Sequence, residues 1–260
     1  MRASPSDPAQ ELASLTRGLK HALQRHASLG RRRLRVGVAQ APPDSSAPPE
    51  NPPEVTAPGP EADLPSGSSP AQASDFKDLQ SLREAVAGCQ ACDLCETRTQ
   101  TVFLDGDGSA GVLFVGEAPG QNEDEQGVPF VGRAGRLLTD IIEKGMGLKR
   151  SEVAIANVLK CRPPGNRDPQ ASEKSACTPW LERQIELLDP KVVIALGRHA
   201  AGYLLDSDAP LGKMRGRVRD WKGRKLVATY HPAFLLRSPG FKRDCWQDIQ
   251  LALGVLQRDE

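Results

Sequence analysis

The chain has little of what would place it in several large classes of protein. Aromatic residues make up 4% of its 260 residues, and no stretch approaches the roughly 18 apolar residues that a membrane span needs. The opening segment, MRASPSDPAQELASL, lacks the apolar run of a secretory signal, so a cytoplasmic protein without membrane attachment is expected. Net charge is only +1, from 34 Lys and Arg against 33 Asp and Glu, so affinity for a polyanion must come from local patches and not from the global field. The G-x-x-x-x-G-K-[ST] phosphate loop is absent, the glycines do not follow dinucleotide-binding spacing, and there is no internal repeat.

Proline, by contrast, is plentiful, and it is unevenly spread. Residues 41–75 are dominated by Pro, Ala, Ser and acidic residues. Such a segment cannot bury enough apolar surface to offset its ordering entropy, and it reads as a disordered linker. Residues 1–40 precede it. They carry Leu12, Leu15, Leu19 and Leu23 at helical spacing and then the basic run Arg31, Arg32, Arg33 and Arg35. This extension reads as a marginal helix and a solvated basic stretch, or as a docking helix or DNA tether whose partner the sequence leaves open.

Residues 76–260 read as one α/β domain. Apolar runs at 111–116, 153–159, 191–196 and 226–230 predict four buried strands. Helical patterns at 132–144, 172–188, 198–205 and 241–256 alternate with them, and Val218–Trp221 reads as a short local hairpin element. Strands alternating with helices argue a mainly parallel sheet covered on both faces, with ligands bound beyond the carboxyl ends of its strands.

Six cysteines are present. Cys89, Cys92 and Cys95 form C-x-x-C-x-x-C, Cys161 and Cys177 come later, and Cys245 stands alone. A tight pair plus two distant cysteines can supply four thiolates to one centre, either zinc or an iron–sulfur cluster, and spacing alone chooses neither the metal nor between Cys92 and Cys95. Cys245 reads as a small buried hydrophobe.

Three polar motifs fall at predicted strand ends. GEAPGQNED at 116–124 carries Glu117, Glu123 and Asp124 on a glycine-bearing turn where acids would repel phosphate, so it reads as chemistry and not as a phosphate cradle. NVLKCRPPG at 157–165 opens with Asn157, whose donor and acceptor suit a base edge. Lys160, Arg162 and Arg167 beside it make a basic cluster fit for DNA phosphates. YHPAFLLR at 230–237 offers His231 as a hydrogen-bond donor, then an apolar loop able to wedge into a base stack, capped by Arg237.

Taken together, Cys89-x-x-Cys92, GEAPGQNED at 116–124, PFVGRAG at 129–135, NVLKCRPPGNRDP at 157–169, Cys177 and HPAFLLR at 231–237 resemble the family 4 uracil-DNA glycosylases. The resemblance covers residues 80–256. It implies a three-layer α/β/α sandwich around a four-stranded, mainly parallel sheet, and a structural [4Fe–4S] cluster on Cys89, Cys92, Cys161 and Cys177. It further implies a monomeric, monofunctional enzyme that flips uracil from single- or double-stranded DNA and hydrolyses its N-glycosidic bond, the first step of base excision repair. Phe130 would stack on uracil, Asn157 would read its edge, Ala118 would line the carbonyl side, and His231 would stabilise the leaving anion. Glu117, with Glu123 as second candidate, would stabilise the cationic sugar and orient water. Lys160, Arg162 and Arg237 would contact DNA. The position after Glu117, where related glycosylases outside the family carry Asp or Asn, is Ala118 here. A branch that traps DNA covalently uses a histidine in the loop after the second strand, and residues 162–176 contain none. The competing readings are a non-catalytic DNA-binding module, a different base specificity, and a zinc centre.

Overall fold

The computed structural model describes residues 73–257, so the expectations for residues 1–40 and for the linker up to residue 72 lie outside the described residues. Residues Ala73–Asp75, assigned to the linker from sequence, form a 3-10 turn with Ala73 buried.

Five strands form one sheet: β1 Val112–Gly116, β2 Ala154–Asn157, β3 Val192–Leu196, β4 Val218–Trp221 and β5 Arg224–Thr229, in the order β2-β1-β3-β5-β4. The first three and β5 are parallel, and β4 pairs antiparallel with β5 at the edge. The sheet therefore has one strand more than the four expected. The Val218–Trp221 hairpin element joins it because Lys222 and Gly223 turn with positive φ and bring Trp221 opposite Arg224.

The helices follow from the alternation of side chains along the strands. Leu113, Val115, Ala154, Ala156, Val193 and Ala195 face one side. There they meet α1 (Leu79–Ala87), through Leu82 and Val86. Val112, Phe114, Ile155, Val192 and Ile194 face the other. Between α1 and β1 lies the short α2, Leu94–Thr97, and after β1 come α3, Gln121–Gln126, and α4, Arg133–Asp140. The run predicted as one helix over 132–144 is α4 followed by a wider π-type turn, Ile141–Met146, which Gly147 ends in the left-handed conformation.

Helix α5, Ala171–Leu188, and α6, Gly197–Leu205, complete the α1 side through Leu181, Ile185, Ala200, Ala201 and Leu204. The remaining helices are α7, Leu211–Met214, α8, Pro232–Arg237, and α9, Lys242–Leu256. Helix α9 covers the α4 side with Cys245, Ile249, Ala252 and Val255. The result is the expected three layers. Cys245 is a buried hydrophobe, as its isolation in the sequence suggested. Among the described residues no helix is long and apolar enough to cross a membrane.

Candidate active site

All four parallel strands deliver a polar residue to the same edge of the sheet. Glu117 follows β1, Asn157 ends β2, His199 lies in the first turn after β3, and His231 follows β5 by two residues. These four, with Ala118 and Phe130, line one cleft of about 780 Å³.

The floor of the cleft depends on a glycine. Gly116 pairs with Asn157 across β1 and β2. A Cβ at residue 116 would lie 2.3 Å from Asn157 Oδ1 and 2.7 Å from the Phe130 ring, so only glycine lets amide and ring close over this strand end. Asn157 is 1% exposed, and its Oδ1 has no hydrogen-bond partner among the described residues. A buried acceptor left unpaired costs about 1–3 kcal/mol, a cost removed by any ligand that brings a donor. Phe130 sits in the left-handed region at φ 55°, a conformation that costs a side-chain-bearing residue about 1–3 kcal/mol. Gly135 accommodates it, since a Cβ there would fall 1.7 Å from the Phe130 carbonyl oxygen. The Phe130 ring lies 5.5 Å from that of His231, tilted by 34°.

His231 caps α8. Its Nδ1 accepts the Ala233 N–H at 3.1 Å, so the neutral ring carries its proton on Nε2. Burial, reinforced by the charge of Arg237, pulls its pKa down to about 4. The ring is thus a neutral donor throughout the physiological range. The segment after it, expected as an apolar loop, is the helix α8, because Pro232 at the first helical position presets the backbone and loses no needed N–H. Leu235 is buried by this turn of helix, while Leu236 and Arg237 stay exposed.

The two candidate carboxylates have different surroundings. Glu123 is spent on its own loop: Oε1 accepts the N–H groups of Val131 and Gly132, both at 3.0 Å, and Oε2 that of Gly120 at 3.1 Å. With three backbone donors already on it, this carboxylate holds the Phe130 loop in place, although it also lines the cleft. Glu117 has no such partners. Burial raises its pKa above the ordinary carboxylate range, with His199 opposing the rise and Asp168 adding to it. His199 stands between two acids, Nδ1 at 3.7 Å from Glu117 and Nε2 at 3.7 Å from Asp168. Neither His199 nor Asp168 was singled out from sequence. The signal was there, since Gly197-Arg-His sits at a strand end like the three motifs that were.

The expected basic cluster is dispersed. Lys160 is 1% exposed and points inward, its Nζ donating to the Asn157 carbonyl at 2.6 Å and to Gln184 Oε1 at 2.5 Å. It cannot contact DNA. Arg167 pairs with Glu173. Arg162 donates to Asn166 Oδ1 at 2.8 Å and stays half-buried, whereas Arg237 lines the cleft and is exposed.

Behind the cleft, Cys89, Cys92, Cys161 and Cys177 line a single small cavity with Arg98, Lys160 and Trp180. Cys95 does not line it. Two sulfurs accept N–H groups at 3.2 Å, Cys161 from Arg98 Nη1 and Cys177 from the Lys160 backbone. Ala118, which lines the cleft, packs on its other side against this cysteine group.

Residues 103–250 match the family model of the uracil DNA glycosylase superfamily. The type-4 uracil-DNA glycosylases of Sulfurisphaera tokodaii and Saccharolobus solfataricus are each 42% identical to the chain, over 66% of it and over 82% and 84% of their own lengths. The type-4 enzyme of Thermotoga maritima is 40% identical over 70% of the chain and 96% of its own length. The strand-end residues that build the cleft all fall inside the matched region, and the chain belongs to the uracil-DNA glycosylase superfamily, in its type-4 branch.

Proposed function

We propose that this protein excises uracil from DNA by hydrolysing the bond between N1 of the base and C1′ of the sugar, with each cleft residue in a distinct role. The carrying observation is the buried, unpartnered Oδ1 of Asn157. Uracil presents an N3–H donor flanked by O2 and O4 acceptors, so Oδ1 accepts N3–H while the amide nitrogen donates to O4. Cytosine presents the inverse at N3 and N4 and leaves both ends of the amide unsatisfied. Phe130 stacks on the ring. His231 Nε2 donates to O2, where negative charge gathers as the base departs, so its contribution is greatest near the transition state. Glu117 stabilises the cationic sugar and orients the attacking water. Among the described residues no lysine lines the cleft, which supports a monofunctional reaction over one through a Schiff base. Arg237 and Arg162 remain as phosphate contacts and Leu236 as the wedge, with the base extruded because C1′ is unreachable inside a duplex.

The same reading assigns a [4Fe–4S] cluster to Cys89, Cys92, Cys161 and Cys177. The four cysteines line one cavity and offer the all-thiolate set that such a cluster takes. Bound there, the cluster would supply a rigid staple between the segment carrying Cys89 and the loop after β2. The N–H donors on Cys161 and Cys177 are those that metal-bound thiolates accept.

The deciding experiment is single-turnover cleavage of a labelled oligonucleotide bearing one uracil, followed by alkali. Cutting at uracil and not at thymine or cytosine is the expected result, and no cutting by iron-loaded protein would reject the reading. A purely DNA-binding relative would bind as well or better when Glu117 is neutralised and would never cut. Gly116→Ala should reduce excision about 100-fold, because a displacement of around 1 Å at the reading amide suffices for that. Its melting temperature should fall only as far as local overpacking requires. An alanine variant with wild-type kcat/KM would show that the close approach of Asn157 and Phe130 is not used.

A further inference from the structure

Among the described residues, Lys160 is a basic side chain buried in the interior, 1% exposed, and not on the DNA-facing surface. We propose that Lys160 is a buried positioning cation, set against the cysteine site, that holds the backbone of the base-reading Asn157. The proposal rests on the reading of the four cysteines as ligands of an iron–sulfur cluster.

Lys160 is fixed at both ends. Its backbone N–H donates to Cys177 Sγ at 3.2 Å, and its carbonyl accepts the Val102 N–H at 2.8 Å. At the far end, Nζ donates to the Asn157 carbonyl at 2.6 Å and to Gln184 Oε1 at 2.5 Å. Gln184 is completely buried and in turn donates to the Phe103 carbonyl at 2.9 Å. Both acceptors of the amine are neutral, and no carboxylate pairs with it among the described residues. Cys177 and Cys161 line the same cavity as Lys160 does. A buried ammonium without a counter-charge is among the least favourable arrangements in a protein interior. Four thiolates, however, outweigh the positive charge of an iron–sulfide core and leave a net anion in the cavity that Lys160 lines. Arg98 faces the same cavity from another element, donating to Cys161 Sγ at 3.2 Å and to the Ala87 carbonyl at 3.3 Å. The two cations thus offset the charge of the site. Only Lys160 also reaches the strand that presents the uracil-reading amide, so it links the integrity of the cysteine site to base recognition.

The test compares wild-type holoprotein with Lys160→Met, which keeps the unbranched stem to the position of Cε and removes the charged amine, and with Gln184→Glu, which gives the ammonium a carboxylate partner. Iron and sulfide content, the rate of iron loss to a chelator, the reduction potential, and kcat and KM on uracil-containing DNA are measured. In Lys160→Met, iron should leave about tenfold faster, the scale expected for loss of an outer partner of a metal site. The potential should fall, and KM should rise more than kcat declines, because Asn157 contacts base in ground and transition states alike. Gln184→Glu should lower the potential with a smaller change in KM, and it decides the question if the methionine variant does not fold. A merely structural lysine predicts the opposite, since an apolar isostere of a bystander buried charge is neutral or stabilising. Unchanged iron retention and potential in folded Lys160→Met, or an unchanged potential in Gln184→Glu, overturns the proposal alone. A wild-type protein that holds no iron after anaerobic reconstitution overturns the cluster reading and the proposal with it.

Discussion

Glu117→Gln should lower the single-turnover rate about 1,000-fold, the middle of the range for loss of a positioned acid–base group, while binding of uracil-containing DNA stays as tight or tightens. The expectation follows from the contrast between the two carboxylates on one loop. Glu123 already accepts three backbone N–H groups, whereas Glu117 faces the cleft with His199 and Asp168 nearest it and Lys174 and Arg198 close enough to act on its charge. Glu123→Gln should also slow the enzyme, but by loosening the Phe130 loop, and so with a loss of thermal stability that Glu117→Gln does not share. A Glu117→Gln rate within about tenfold of wild type would remove Glu117 from the reaction, since a group of that kind contributes about 100-fold or more.

The pH profile separates Glu117 from His231. Burial holds the Glu117 pKa above the ordinary carboxylate range, and the group must be ionised to stabilise a cationic sugar. Activity should therefore decline as pH falls through that raised pKa, placing the acid limb above pH 4.5. His231, held down to about 4, is already a neutral Nε2–H donor across this window and adds no limb of its own. The limb should vanish in Glu117→Gln and persist in His231→Asn. A limb near the usual histidine value of about 6.5 that disappeared in His231→Asn would mean that His231 acts in a protonated form.

Much of the fold could be read from the chain because its central strands are continuous apolar runs bounded by glycine, proline or polar turns. Each run buries both faces, as Val112–Val115 does, so length and flanks identify it without alternation. The edge strand β4 was harder to place, since VRDW is half-exposed and its membership depends on a turn at Lys222 and Gly223 that pairs it with β5. The strand-end rule located Glu117, Asn157 and His231, but not the direction of each side chain. Lys160 sits three residues beyond β2, where no period fixes which way a side chain points, so the sequence could not show that it turns inward to Gln184. The roles of Glu117 and Glu123 are separated only by which backbone amides the closed loop presents to them. His199 carries no such mark, because Gly-Arg-His-Ala-Ala reads as the start of an ordinary helix, which it also is.

Base selection makes the sharpest demand on the site. A pocket built to hydrogen-bond its substrate rejects an analogue that cannot complete those bonds by about 10⁴–10⁵-fold, and in this cleft the amide of Asn157 is the group positioned to do so. Asn157→Asp should collapse that discrimination. The position is 1% exposed, so burial there raises the carboxyl pKa and favours the neutral acid. A neutral acid can accept the uracil N3–H and donate to O4, or donate to cytosine N3 and accept from N4. Excision of cytosine should become measurable, and the preference for uracil should drop by at least about 100-fold, in competition assays with both bases in one labelled strand. Asn157→Ala removes both partners and should lose uracil excision without gaining cytosine. The pair of variants distinguishes reading from packing, because a residue that only filled space would give the same loss in both and no cytosine excision in either. That outcome would transfer base selection to the backbone around Glu117 and Ala118, the other polar wall of the cleft.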